Sequence, residues 1–130
     1  MLSLSDCTVS ASVAVRDITR ARRFYEDVLG LRVEVDSGDN IRYRCAGGTS
    51  IHIFSSPYAG TAQSTVAGWG VADIDAAVEQ LARQGVEFER YPTGPIVTDD
   101  RGIASFPGGN RVAYFKDADG NVLSIAYVPG

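Results

Sequence analysis

Histidine occurs once in this sequence, at position 52, and cysteine only twice, at Cys7 and Cys45. Two cysteines cannot build a disulfide framework, and without a Cys-x-x-Cys pair there is no zinc chelate or dithiol redox motif of that kind. No apolar run approaches the roughly 20 residues that cross a bilayer. Residues 1–10 also lack a basic stretch followed by a long apolar one, so no secretion signal is expected. An excess of positive charge is missing too. Twelve Lys and Arg stand against 16 Asp and Glu, a formal net charge of -4, which counts against a nucleic-acid partner. Arg16, Arg20, Arg22 and Arg23 do form a basic group, but Asp17, Glu26 and Asp27 are interleaved with them, as on a solvated helix face. The expectation is a cytoplasmic protein with neither nucleic acid nor membrane as a partner.

What is present is ordinary for a globular domain: 130 residues, 45% hydrophobic and 22% charged, enough to bury a core without metals or disulfides. Residues 8–16 alternate small polar with apolar side chains and predict a strand. Asp17 stands where a helix N-cap would, and Ile18, Ala21, Tyr25, Val28 and Leu29 make one apolar stripe that Gly30 terminates. Strands are predicted at 31–36, 41–45 and 49–55, joined by turns with Gly and Asn in them. After a linker at 57–64 the same order begins again. A strand at 65–71 leads to Asp73 as the cap of a helix with Ile74, Ala77, Val78 and Leu81 on one face, and Gly85 ends it.

The pairs Asp17-Ile18-x-x-Ala21 and Asp73-Ile74-x-x-Ala77 repeat at an interval of 56 residues. From cap to terminal glycine the first helix is one residue longer than the second. Residues 86–89 are predicted to start the next strand. Residues 92–109, with three prolines and four glycines, are predicted as a long irregular loop at the cleft edge. Strands at 110–116 and 121–127 then flank the turn Asp117 to Gly120. The predicted fold is α+β, with two βαβββ modules, about 8–56 and 64–128, in a single domain.

Val15-x-Asp17 followed by Phe24-Tyr25-x-x-Val28-Leu29-Gly30-Leu31, and Phe115-Lys116-Asp117-Ala118-Asp119-Gly120-Asn121 before a last strand, resemble the vicinal oxygen chelate superfamily. That family includes glyoxalases, bleomycin-binding resistance proteins and extradiol dioxygenases. The resemblance runs from Thr8 to Tyr127 and implies two βαβββ modules around a curved-sheet cleft. The motifs identify a fold rather than a reaction, and Asp17, Asp73, Tyr25 and Asp117 are read as caps, core and turn. Metal-dependent members place His, Glu or Gln from the first and last strand of each module in the cleft. Carried over by distance from the helix caps and turns, those positions here are Ser10, His52, Val66 and Ser124. One imidazole beside valine and two serines is a poor divalent-metal set. No metal and no cofactor is therefore expected.

Strand alternation places Ser10, Ser12 and Ala14, then Ser50, His52 and Phe54, on the cleft face of the first module. Val66, Gly68 and Gly70, then Val122, Ser124 and Ala126, occupy it in the second. Small side chains there leave space for a ligand, unless Tyr43, Tyr91, Tyr114 or the long loop fills it. The expected ligand-binding residues are Ser10, Ser12, His52, Phe54, Val66, Gly68 and Ser124, with His52 the candidate for acid–base catalysis. The expected function is metal-independent binding of a small molecule such as an antibiotic or metabolite. The alternative is a glyoxalase-like lyase or isomerase, or another modifying enzyme, that uses His52. Bleomycin-binding relatives imply a homodimer.

Overall fold

Two sheets of four strands each, built in the same order, face their apolar sides toward two helices in a computed structural model describing residues 1–130. The first sheet contains β1 (Ser10–Val15), β2 (Arg32–Asp36), β3 (Asn40–Arg44) and β4 (Ser50–Ser55) in the spatial order β1-β4-β3-β2. The second contains β5 (Ala67–Gly70), β6 (Ile103–Ser105), β7 (Arg111–Lys116) and β8 (Val122–Tyr127) in the order β5-β8-β7-β6. In each sheet the first and last strands pair in parallel and the remaining neighbours are antiparallel. The sheets approach each other along β1 and β5.

Both predicted caps form. Asp17 accepts the backbone N–H of Arg20 at 3.2 Å, and Asp73 that of Ala76 at 3.1 Å. They start α1 (Ile18–Arg22) and α2 (Ile74–Arg83). Helix α1 continues as a π-helical turn, Arg23–Val28, in which the Leu29 N–H reaches five residues back to Phe24 O at 3.0 Å. A π-turn absorbs one extra residue without breaking the helix, which accounts for the one-residue excess of the first helix over the second.

The buried side chains make one contiguous core drawn from both halves of the chain, including Val13, Tyr25, Ile53, Ile74, Phe115 and Leu123. Phe24 of the first helix lies 6.3 Å from Phe115 of the second sheet, ring centre to ring centre. The 117–121 turn does more than reverse the chain. Asp117, buried, accepts the Tyr25 hydroxyl at 2.7 Å, and Asn121 donates to Ala14 O at 2.7 Å while accepting the Gly60 N–H at 3.1 Å. Burial, then the Asp117 charge, pushes the Tyr25 pKa far up, so this hydroxyl stays a donor. Asp119 accepts from the Arg16 N–H at 3.2 Å and from the Arg20 guanidinium at 2.8 Å. The turn therefore clasps β1, α1, the 56–60 segment and the β7–β8 hairpin together.

Two expectations need correction. Residues 86–89 do not form a strand. Only Phe88 bridges to Phe115, because the chain leaves the sheet immediately afterwards. Residues 92–109 are not irregular throughout, since the second sheet's edge strand, β6, lies within them with Ile103 and Ala104 buried. Asp99 Oδ1 accepts the N–H groups of Arg101 and Ile103, both at 2.9 Å, and this turn feeds the chain into β6.

Candidate functional site

Alternation along the first sheet separates a buried face from an open one. Val13 and Val15 of β1, Ile41 and Tyr43 of β3, and Ile51 and Ile53 of β4 point into the core. Tyr43 does not enter the open side, because its hydroxyl donates to Glu26 at 2.8 Å beneath the sheet. The open face carries Ser10, Ser12 and Ala14, then Ser50, His52 and Phe54, then Asn40, Arg42 and Arg44. In register, His52 sits between Ser12 on one side and Arg42 on the other.

His52 Nε2 lies 3.1 Å from Asn40 Oδ1, and the same amide donates from Nδ2 to Asp39 Oδ1 at 3.0 Å. That second bond fixes which end of the amide meets the imidazole. Nε2 must carry the proton, and in the neutral ring Nδ1 keeps its lone pair with no partner inside the chain. The ring also stacks on Phe54, with centroids 5.9 Å apart. Thr8, Ser10, Arg42, Ser50 and His52 enclose a polar hollow of about 250 Å³. Ser50 and Val9 are shared with a second hollow of about 410 Å³ at the seam of β1 and β5, where Gly68, Trp69 and Gly70 form the far wall.

The second sheet contributes differently. Ser124 is register partner to Gly68 and is buried against it, and a Cβ at Gly68 would lie 2.5 Å from Ser124 Oγ. Val66 is half-buried against the core, its N–H donating to Val122 O at 2.9 Å. Tyr91, just before the long loop, and Pro95 and Ile96 within it fold over Tyr114 and Val122, leaving a hollow of about 400 Å³. The Tyr91 and Tyr114 rings are 6.1 Å apart, and burial, then Tyr91, pushes the Tyr114 hydroxyl upward. Among the expected residues, then, Ser10 and His52 share one hollow, Ser12 and Phe54 flank His52, and Gly68 lines the adjoining seam above Ser124. A larger hollow of about 900 Å³ lies across the molecule between α2 and the 100–101 turn. It contains none of the expected residues, and Glu79, Arg83 and Arg101 on its wall are already ion-paired.

A family profile described as Glyoxalase/Bleomycin resistance protein/Dioxygenase superfamily matches residues 8–125. The chain belongs to this superfamily. Solved structures with the same fold include a glyoxalase/bleomycin resistance protein from Catenulispora acidiphila DSM 44928, at 22% identity and a TM-score of 0.71, covering 94% of this chain and 98% of that one. TnmS3, an antibiotic binding protein from Streptomyces sp. CB03234, is 23% identical with a TM-score of 0.69, covering 94% and 95%. A lactoylglutathione lyase from Agrobacterium tumefaciens is 17% identical with a TM-score of 0.67, covering 94% and 93%. A comparison with curated proteins finds no match. No helix is long and apolar enough to cross a membrane.

The metal-binding positions that the superfamily implies can be tested on the donors present. Ser10 and His52 share a hollow, but Val66 has no donor atom and Ser124 is packed under Gly68. No three His, Cys, Asp or Glu side chains anywhere in the chain converge as a metal site would require. Arg42, across from His52, adds a positive charge that repels a cation. These residues do not fit a divalent ion. Sequence reasoning missed Asn40, Arg42 and Arg44, although the alternation of Asn40, Arg42 and Arg44 with Ile41 and Tyr43 carried the signal.

Proposed function

We propose that this superfamily member binds a small molecule, an antibiotic or a metabolite, without a metal ion, in the hollow beside His52 and along the adjoining seam. The observation that carries this reading is the His52 hollow itself. An imidazole held by Asn40 shares it with hydroxyls and a guanidinium, and there is no second strong metal ligand. Such convergent polar groups in a recess suit recognition of a ligand. The antibiotic-binding neighbour supports the same class. The reading includes a homodimer, which light scattering on the purified protein tests, and a cytoplasmic location, which fractionation of the host cell tests.

A thermal-shift screen of metabolites and antibiotics on EDTA-treated protein is the test. A ligand present at a hundred times its Kd stabilises by about 2.7 kcal/mol, so a true binder moves the midpoint visibly. His52→Ala should abolish most of that shift and leave the unliganded midpoint near wild type, since no buried cluster depends on the ring. A destabilised variant with wild-type affinity removes His52 from the site. One observation favours a second reading, an acid–base enzyme: the Nδ1 lone pair is free while Asn40 holds the other nitrogen. Turnover of a bound compound, lost in His52→Ala, would select that reading.

A further inference from the structure

Half of the protein's 12 cationic side chains are ion-paired: Arg20, Arg22, Arg83, Arg101, Arg111 and Lys116. Of the unpaired ones, Arg32, Arg42 and Arg44 share the open face of the first sheet with His52. Arg42 is the register partner of His52, Arg44 that of Ser50, and Arg32 that of Arg44. Like charges directly opposite on neighbouring strands are destabilising, yet Arg32 and Arg44 hold that relation in a chain whose net charge is -4. The acidic residues nearest along the chain, Glu34 at the bulge of β2 and Asp39 in the following turn, form no ion pair with any of the three. No carboxylate of the chain forms an ion pair with Arg32, Arg42 or Arg44.

We propose that the hollow beside His52 receives an anionic group of a small ligand: a carboxylate, phosphonate or phosphate. This inference rests on the small-molecule reading above and adds the ligand's charge to it. Arg42 is the contact residue, because it lines the hollow together with the hydroxyl-bearing Ser10, Ser50 and Thr8. A guanidinium presents paired N–H donors to two oxygens of one such group, and the hydroxyls can donate to the rest. Arg44, two residues along β3 from Arg42, and Arg32, opposite Arg44 on the edge strand β2, extend the favourable field toward solvent. The ligand body would lie along the seam past Gly68 toward Gly70, where a missing side chain leaves open space.

Calorimetric titration at low ionic strength with benzoate and its neutral isostere benzamide tests the charge requirement, and phenylphosphonate and inorganic phosphate distinguish the anion types. Benzoate or phenylphosphonate should bind, and benzamide should be weaker by about tenfold or more, as expected for loss of a charge-assisted contact. Arg42→Gln should erase that difference, Arg44→Gln should reduce it, and Arg23→Gln, which removes an unpaired arginine from the π-helical turn after α1, should leave it intact. Circular dichroism of each variant confirms the fold. Equal binding of benzoate and benzamide, or equal losses in Arg42→Gln and Arg23→Gln, overturns the inference. If the anions fail while neutral compounds in the screen bind through His52, the anion inference falls and the small-molecule reading stands. If no compound of any charge binds, both fall. A short single-stranded oligonucleotide held more tightly than phenylphosphonate, and released by Arg42→Gln, would overturn it in favour of a nucleic-acid partner.

Discussion

Asp117 is buried with no cationic side chain in ion-pair range, an arrangement that is costly unless hydrogen bonds replace the lost water. Four donors do so: the N–H groups of Asp119 and Asn121 on one oxygen, both at 2.9 Å, and the Tyr25 hydroxyl and Asn121 amide on the other, at 2.7 and 2.8 Å. Tyr25→Phe removes one donor and should cost about 1–2 kcal/mol in urea denaturation, whereas Asp117→Ala strands all four donors and should cost about 3 kcal/mol or more. Equal losses in the two variants would contradict this account. Both residues were visible in the sequence as core and turn, but their bond, which joins positions far apart in the chain, was not. Gly60 is similar. Its role appears only in three dimensions, where a side chain would collide with the Asp119 carbonyl. In the candidate site, the shared open face of His52 and Ser10 was legible from their distances to helix caps and turns. The outward placement of Arg42 was legible from its alternation with Ile41 and Tyr43, but its place beside His52 was not, because that comes from the register of β3 against β4.

Helices α1 and α2 were legible because cap, stripe and terminal glycine agree with one another. Strand β6 was not, because three residues between Gly102 and Phe106 are too short to show a period. Its place is held by charge as well as by pairing. Asp75, in the first turn of α2, accepts from Arg101 before β6 at 2.6 Å and from Arg111 of β7 at 2.8 Å. Arg111, then Arg101, holds the Asp75 carboxyl at about 2, below its ordinary 3.8. A carboxylate with a depressed pKa contributes stability that is complete above the unfolded value and fades as pH falls through the folded one. Asp75→Asn should therefore lower the melting midpoint slightly at pH 5, because the bridge is exposed. The gap to wild type should close between about pH 4 and pH 2. A gap that stays constant across that range would remove Asp75 as its source. The same bridges anchor the 99–105 part of the long segment, whereas Pro95 and Ile96 before it lie over the second sheet's open face.

Duplication makes the two halves look alike, but their packing makes each depend on the other. The first helix inserts Phe24 against Phe115, the turn of the second half bonds Tyr25 and Ala14 O of the first, and Gln84 at the end of α2 donates to Val28 O at 2.6 Å. If the halves were independent, a cavity cut into one would leave the stability of the other unchanged. The single tryptophan separates these cases, because Trp69 lies in the second half, stacked at 6.4 Å on Phe115. Ile53→Ala removes a buried side chain from the first sheet and should cost about 2–5 kcal/mol. In a molecule that unfolds as one unit, the urea midpoint followed by Trp69 fluorescence shifts by that full amount and coincides with the midpoint from far-ultraviolet circular dichroism. A Trp69 transition that stays at its wild-type midpoint while the dichroism splits into two steps would mean that the halves fold separately. Cooperative unfolding also bears on the ligand site. The hollow beside His52 shares Ser50 and Val9 with the seam formed by β5, so the site's outer wall persists only while both sheets are folded, and a ligand bound there would stabilise both halves equally.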